Sequence, residues 1–168
     1  MYKRQVIHCA ATPNGRWTTV EDIDRWHGPD REARGLRPFK RSGSPWHMPH
    51  LKHIGYHFVI YTNGSMVCGR SLNETGAHAL DKRQPRGSDA RRRYNNNAIA
   101  TCLIGTDQFT PEQWDMLRLH VRSFRERFAD LEIIGHREID DGKLCPGFDV
   151  PKWLANGMKP DPENILQP

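Results

Sequence analysis

Ala98-Ile99-Ala100-Thr101-Cys102-Leu103-Ile104 is an uncharged, mostly apolar run, and Thr110-Pro111-Glu112-Gln113 follows it after a short connection. The run has the length and composition of a strand buried on both faces, which makes it a central strand. The next segment carries the marks of a helix start: Thr at the N-cap, Pro at the first helical position and Gln three residues after the cap. Its apolar residues Trp114, Leu117, Val121, Phe124 and Phe128 recur at spacings of three and four, the stripe of an amphipathic helix. A buried strand feeding a helix that must cover it decides the class. The chain is expected to be α/β, a single domain with a central mixed β-sheet and flanking helices.

The same signals extend in both directions. Gln5 to Ala11 reads as a buried strand ended by the turn Thr12-Pro13-Asn14-Gly15. Thr19 with Asp22 three residues later resembles a capping box, and Gly28-Pro29 stops the helix that it starts. Gly55 to Tyr61 reads as a strand, Asn63-Gly64 as a hairpin turn and Met66 to Arg70 as the returning strand. Alternation in the first of these puts Tyr56, Phe58 and Ile60 on one face and His57, Val59 and Tyr61 on the other. Leu131 to Gly135 reads as a short strand and Asp149 to Leu154 as a final short helix. Residues 29–53 and 81–97 read as two long basic loops, and residues 161–168 as a loose tail beyond a domain spanning 1–160.

At 168 residues the chain is long enough for one core without disulfide staples. The four cysteines, Cys9, Cys68, Cys102 and Cys145, form no CxxC pair, which argues against a zinc ribbon and a thioredoxin-like motif. No apolar run is long enough to span a bilayer, and the short run near the start is no signal peptide. The net charge of +5 is uneven. Residues 29–53 hold six basic side chains against two acidic ones, as do residues 81–94, so each segment carries +4 and the remainder is acidic. Such segments attract polyanions, whether nucleic acid, acidic glycan or an anionic envelope surface. No helix-turn-helix, finger or RNA-binding signature accompanies them, so nucleic acid is the poorer candidate.

Three residues carry the chemistry: His8 at the end of the first strand, His136 directly after the strand 131–135, and Cys145 before Pro146-Gly147. Two imidazoles and a thiolate suit zinc, and three protein ligands leave a fourth position for water or substrate. Ligands this far apart in sequence must be assembled by the fold, as in a catalytic site and unlike a finger. By spacing alone each is more often a packed or hydrogen-bonded residue than a ligand. His47, His50 and His53 read as solvated loop residues, His57 as a structural histidine, and Glu138 as a structural carboxylate with general base as the alternative.

Six motifs then occur in order: His8-Cys9-Ala10-Ala11-Thr12; Ile54-Gly55-Tyr56-His57-Phe58-Val59-Ile60; Gly76-Ala77-His78-Ala79; Asn97 to Gly105; Gly135-His136-Arg137-Glu138; and Lys143-Leu144-Cys145-Pro146-Gly147-Phe148-Asp149. The series, covering about residues 6–154, resembles the zinc-dependent N-acetylmuramoyl-L-alanine amidases of the type-2 family, which share a fold with peptidoglycan-recognition proteins. It is most similar to the small lysozyme-like amidases of T-odd bacteriophages. The resemblance implies one zinc ion per chain on His8, His136 and Cys145, catalytic roles for Tyr56 and Lys143, and substrate contacts from His78. Asn97 is a further candidate for substrate contact. It implies a monomer that acts on peptidoglycan, made in the host cytoplasm without an export signal and released to the wall through holin-type lesions. The basic segments, which look like insertions, read as a solvated surface, as a patch adhering to an anionic envelope surface or as a nucleic-acid site, and the second reading is favoured. A bacterial wall-remodelling amidase and a non-catalytic wall-binding module on the same fold are the alternatives.

Overall fold

The computed structural model describes residues 2–41 and 47–167. Strands β1 (Arg4–Cys9), β2 (Phe58–Ile60), β3 (Met66–Cys68), β4 (Ala98–Leu103) and β5 (Glu132–Gly135) form one sheet in the order β3-β2-β4-β1-β5. β4 is central, parallel to β1 and β2; β1 and β5 are also parallel, while β3 returns antiparallel from β2. This is the mixed sheet expected. The Asn63-Gly64 turn closes the β2–β3 hairpin, with Gly64 at φ 78°.

Helices cover both faces. α1 (Val20–His27) packs Val20 and Ile23 on Val59, Tyr61, Cys102 and Ile104. α4 (Pro111–Arg127) packs Trp114, Leu117 and Val121 on Ile7, Ile60 and Leu103, with Trp153 of α5 (Val150–Ala155) in the same layer. Both capping boxes form. Thr19 and Asp22 exchange bonds at α1, and Thr110 and Gln113 do so at α4. Buried Gln113 also donates to the Ile104 carbonyl at 2.8 Å, fixing the start of α4 to the end of β4.

Four expectations need correction. Residues 81–97 are not all loop: α3 (Asp89–Asn97) occupies the second half, capped by Ser88, whose hydroxyl accepts from the Arg91 amide. Its only large apolar residue is Tyr94, so it carries no periodic stripe to read. Residues 29–53 likewise include a short helix, α2 (Pro29–Glu32), because the Pro that ends α1 is also well placed at a first helical position. Residues 42–46 of that segment lie outside the described residues.

The tail is not loose where it is described. Trp114 Nε1 donates to the Asn164 carbonyl at 3.1 Å, the Asn164 side chain donates to the Asp107 and Gly147 carbonyls, and Ile165 bridges to Phe109. The domain therefore extends past 160. Finally, β2 begins only at Phe58, so alternation fails before it. Phe58 meets His120 and Phe124 of α4, whereas Tyr56 packs with Val59 in the α1 layer. Among the described residues no helix is long and apolar enough to cross a membrane.

Candidate metal centre and active site

Parallel pairing of β1 with β5 aligns Ile7 with Gly135. One residue further, at the carboxyl ends of both strands, stand His8 and His136, their ring centroids 4.7 Å apart. The loop after β5 brings in the third side chain. The Arg137 amide donates to the Cys145 carbonyl at 2.8 Å, and the Cys145–Pro146 bond is cis. Gly147 follows at φ 90°, where a Cβ would lie 2.1 Å from the Thr106 carbonyl oxygen, so the loop closes on the β4–α4 connection only with glycine there.

His8, His136 and Cys145 each offer one ligand atom, and these atoms lie within 4.8 Å of one another; no other such group exists among the described residues. Cys145 Sγ is 3.7 Å from His8 Nδ1. Zinc–sulfur and zinc–nitrogen bonds of about 2.3 and 2.0–2.1 Å at a tetrahedral angle require a separation of about 3.6 Å. The donor set and its spacing therefore fit zinc.

The surroundings agree. The Cys9 amide donates to Cys145 Sγ at 3.2 Å, a bond that favours a thiolate. The Cys9 side chain and burial push the Cys145 thiol upward, so only a nearby cation makes it a ligand. His8 is 1% exposed; burial, then the neighbouring His136 and His78, holds it well below the usual imidazole range. Burial, then Lys143, lowers His136 to about 4. Both imidazoles are therefore neutral and free to ligate at neutral pH.

With His8 Nδ1 facing Cys145, its Nε2 lies 2.9 Å from His78 Nδ1. A proton on His8 Nε2 fixes the ligating tautomer, and a hydrogen bond of this kind orients a metal ligand. His78 is set in turn by Asn95, whose Oδ1 accepts from the His78 and Ala79 amides at 2.8 and 2.9 Å.

Tyr56 leans over His8, ring centroids 5.2 Å apart, and is held from the far side by the His27 ring at the same distance. Burial raises its phenol well above 10, so it stays a donor. Tyr56, His136, Lys143 and Cys145 line a cavity of about 570 Å³. His136 and Lys143 also border a second lobe of about 380 Å³, with Arg31, Phe39, His78, Lys82 and Asn95.

Thus six of the seven expected site residues converge. Asn97 does not. It is exposed at the opposite end of β4, where Ala98 pairs with Arg4, while the site lies beyond the Cys102–His8 pair. Asn95 occupies the groove instead, and three consecutive asparagines gave no way to choose between them. His78 lines the groove as expected, but it also supports His8, which spacing could not reveal.

His57 is structural: Nδ1 accepts from the Ala100 amide and Nε2 meets the Glu74 carbonyl. Glu138 accepts from the Gly135 amide and closes the turn that carries His136. His47, His50 and His53 do not converge: they bond to the Cys68 carbonyl, Glu21 and the Phe39 carbonyl respectively.

Comparison with known proteins identifies the family and the fold. The family model described as N-acetylmuramoyl-L-alanine amidase matches residues 2–148. The endolysin of Escherichia phage T7 is 28% identical over 155 residues, covering 88% of this chain and 82% of the relative. The endolysin of Enterobacteria phage K11 is 26% identical over 159 residues, covering 90% and 84%. Among solved structures, the N-acetylmuramoyl-L-alanine amidase LysC from Clostridium intestinale URNW superposes with a TM-score of 0.62 at 22% identity, covering 94% of this chain and 87% of that one. Wild-type Drosophila PGRP-LB also gives 0.62 at 21% identity, covering 95% and 83%. These two likenesses establish the fold.

Proposed function

The chain belongs to the N-acetylmuramoyl-L-alanine amidase family, and from that membership we propose that it is a zinc-dependent hydrolase of the amide between N-acetylmuramic acid and L-alanine in peptidoglycan, working as a phage or prophage endolysin. The observation that carries this reading is the convergence of His8, His136 and Cys145 on one point, with Tyr56 and Lys143 lining the same cavity.

A zinc ion held by these three residues would supply a Lewis acid and lower the pKa of a bound water to about 7. The remaining work falls to the chain's own groups. Lys143 brings a positive charge to the oxygen of the scissile carbonyl as negative charge develops there. Tyr56 Oη, kept protonated by burial, donates to the same oxygen or orients the attacking water. His78 holds the proton on His8 Nε2, and the Cys9 amide shares the charge on Cys145. No serine or cysteine nucleophile is required: of the two cysteines on the cavity wall, Cys145 would be committed as a ligand and Cys9 is buried.

A bacterial wall-remodelling amidase has the same chemistry. A non-catalytic wall-binding module would not need Cys145, Tyr56 and Lys143 together. In the endolysin setting, the chain acts as a monomer, is made in the host cytoplasm and reaches the wall through holin-type lesions. The exposed arginines of residues 29–37 and 86–92 add affinity for an anionic envelope surface, which high salt should weaken.

The test is digestion of purified peptidoglycan. New amino termini on alanine, without new reducing sugar ends, support the reading. Loss of cleavage with a chelator and return with zinc support the metal. New reducing ends, or cleavage indifferent to chelation, contradict it.

A further inference from the structure

The site opens on two sides, and their chemistry differs. The lobe shared by His136 and Lys143 is cationic. Arg31, Lys82 and Lys143 border it, and its carboxylate, Asp140, is already paired with Lys82 at 2.6 Å. On the other side, Ala10 and Ala11 line both the cavity containing Cys145 and a neighbouring cavity of about 270 Å³. Ala11 turns the chain there at φ 54°.

Two indoles, Trp17 and Trp26, border this neighbouring cavity. Trp17 is 54% exposed although its ring packs beside Tyr61 at 5.1 Å. Trp17 therefore offers an exposed indole face to a ligand in this cavity. Arg25 is balanced by Asp22 and Asp30, at 3.6 and 3.7 Å, so the cavity holds little unpaired charge beyond Arg16.

A stem peptide carries carboxylates, which the cationic lobe suits. A glycan strand of N-acetylated sugars is uncharged where its lactyl groups are in amide linkage, and presents apolar pyranose faces that stack on indole, with hydroxyl and N-acetyl groups for an arginine. We propose that the Trp17–Trp26 cavity is a glycan subsite, which takes the N-acetylated sugar adjoining the muramic acid that is cut, so that the glycan runs past Ala10 and Ala11 and the peptide toward Arg31. The direction of the strand rests on the amidase reading; the affinity of the cavity for sugar does not.

Two measurements test it. In the first, tri-N-acetylchitotriose is titrated into the intact protein and followed by amide and indole NMR. The expected result is shifts at residues 10–26 and at the Trp17 indole, weakened by Trp17→Ala and restored by Trp17→Tyr. Shifts centred on Arg31 and Phe39, or no shifts at all, overturn the proposal. In the second, KM is compared for a disaccharide-peptide and a muramyl-peptide substrate. Wild type should favour the disaccharide by about 3–10-fold, the range of one aromatic stacking contact, and Trp17→Ala should bring the ratio to one. An unchanged ratio overturns the subsite. Sugar shifts at Trp17 without cleavage of either substrate overturn the amidase reading and leave the sugar site standing.

Discussion

The two rims of the groove are built in different ways. The metal rim hangs on regular structure: β1 and β5 end side by side, and His8 and His136 are the residues that follow their last pair. The opposite rim, residues 37–41, 47–56 and 69–80, has almost no regular structure and is held by two buried guanidinium groups. Arg41 donates to the carbonyls of His47, Met48 and Leu51 and pairs with Glu74 at 2.6 Å. Arg70, 1% exposed, donates to the carbonyls of Lys40, Ile54 and Thr75. These carbonyls have no sheet partner, and a planar five-donor group satisfies several at once. One rim therefore supplies two of its three ligands at strand ends, while the segment that carries Tyr56 is held through buried charge.

Substitutions should separate these modes, beginning with the largest effect. On the metal rim, Cys145→Ser should abolish cleavage and zinc retention while leaving the circular dichroism spectrum intact. Lys143→Ala, exposed in the cavity, should lower kcat by about 10²–10³-fold without loss of zinc, since it removes one charge stabilising the oxyanion. Equal loss of zinc in Lys143→Ala would break the division of roles.

On the opposite rim, Arg41→Met should destabilise the fold by roughly 3–5 kcal/mol, because Glu74 is left as a buried charge without its partner. Urea denaturation measures this. A loss below about 1 kcal/mol would mean that the rim is held by something else. Burial pushes Glu74 up, but Arg41, the Ser71 amide and Arg70 outweigh it and hold the carboxyl below 4.5. This pair therefore stabilises above about pH 4.5 and loses that contribution as pH falls through the lowered value.

Much of the metal rim was legible in the sequence. One apolar run contained His8, another ended just before His136, and capping residues marked α1 and α4. The opposite rim was not legible, because a buried arginine looks like a solvated one. Arg41 counted toward a basic surface segment, yet its side chain is 2% exposed. Asp81, fully buried, likewise absorbs Arg83 and Arg93 at 3.0 and 2.7 Å, so part of the apparent surface charge is structural. Tyr56 was identified by its motif but assigned to the wrong sheet face, because alternation was assumed where the chain had not yet entered β2.

Smaller effects sharpen the contrast. His27, His57 and His120 are each lowered to about 4, chiefly by burial. Between the unfolded value of about 6.5 and 4, the unfolded chain binds more protons than the native one, so stability should fall as pH drops through that window. His120→Gln, remote from the site, should make that slope shallower by up to one proton; an unchanged slope would show that His120 does not contribute. Asn95→Ala should weaken zinc retention by about 10-fold through His78, whereas Asn97→Ala should change stability by less than about 0.5 kcal/mol and leave zinc alone. The reverse order would restore Asn97 to the groove.

The central claim is a single zinc ion gripped by His8, His136 and Cys145. X-ray absorption at the zinc edge on the purified protein addresses it directly. The account predicts one zinc per chain, with one sulfur at about 2.3 Å and two imidazole nitrogens at about 2.0–2.1 Å, the sulfur lost in Cys145→Ser. A shell without sulfur, or zinc bound equally well by that variant, would contradict it.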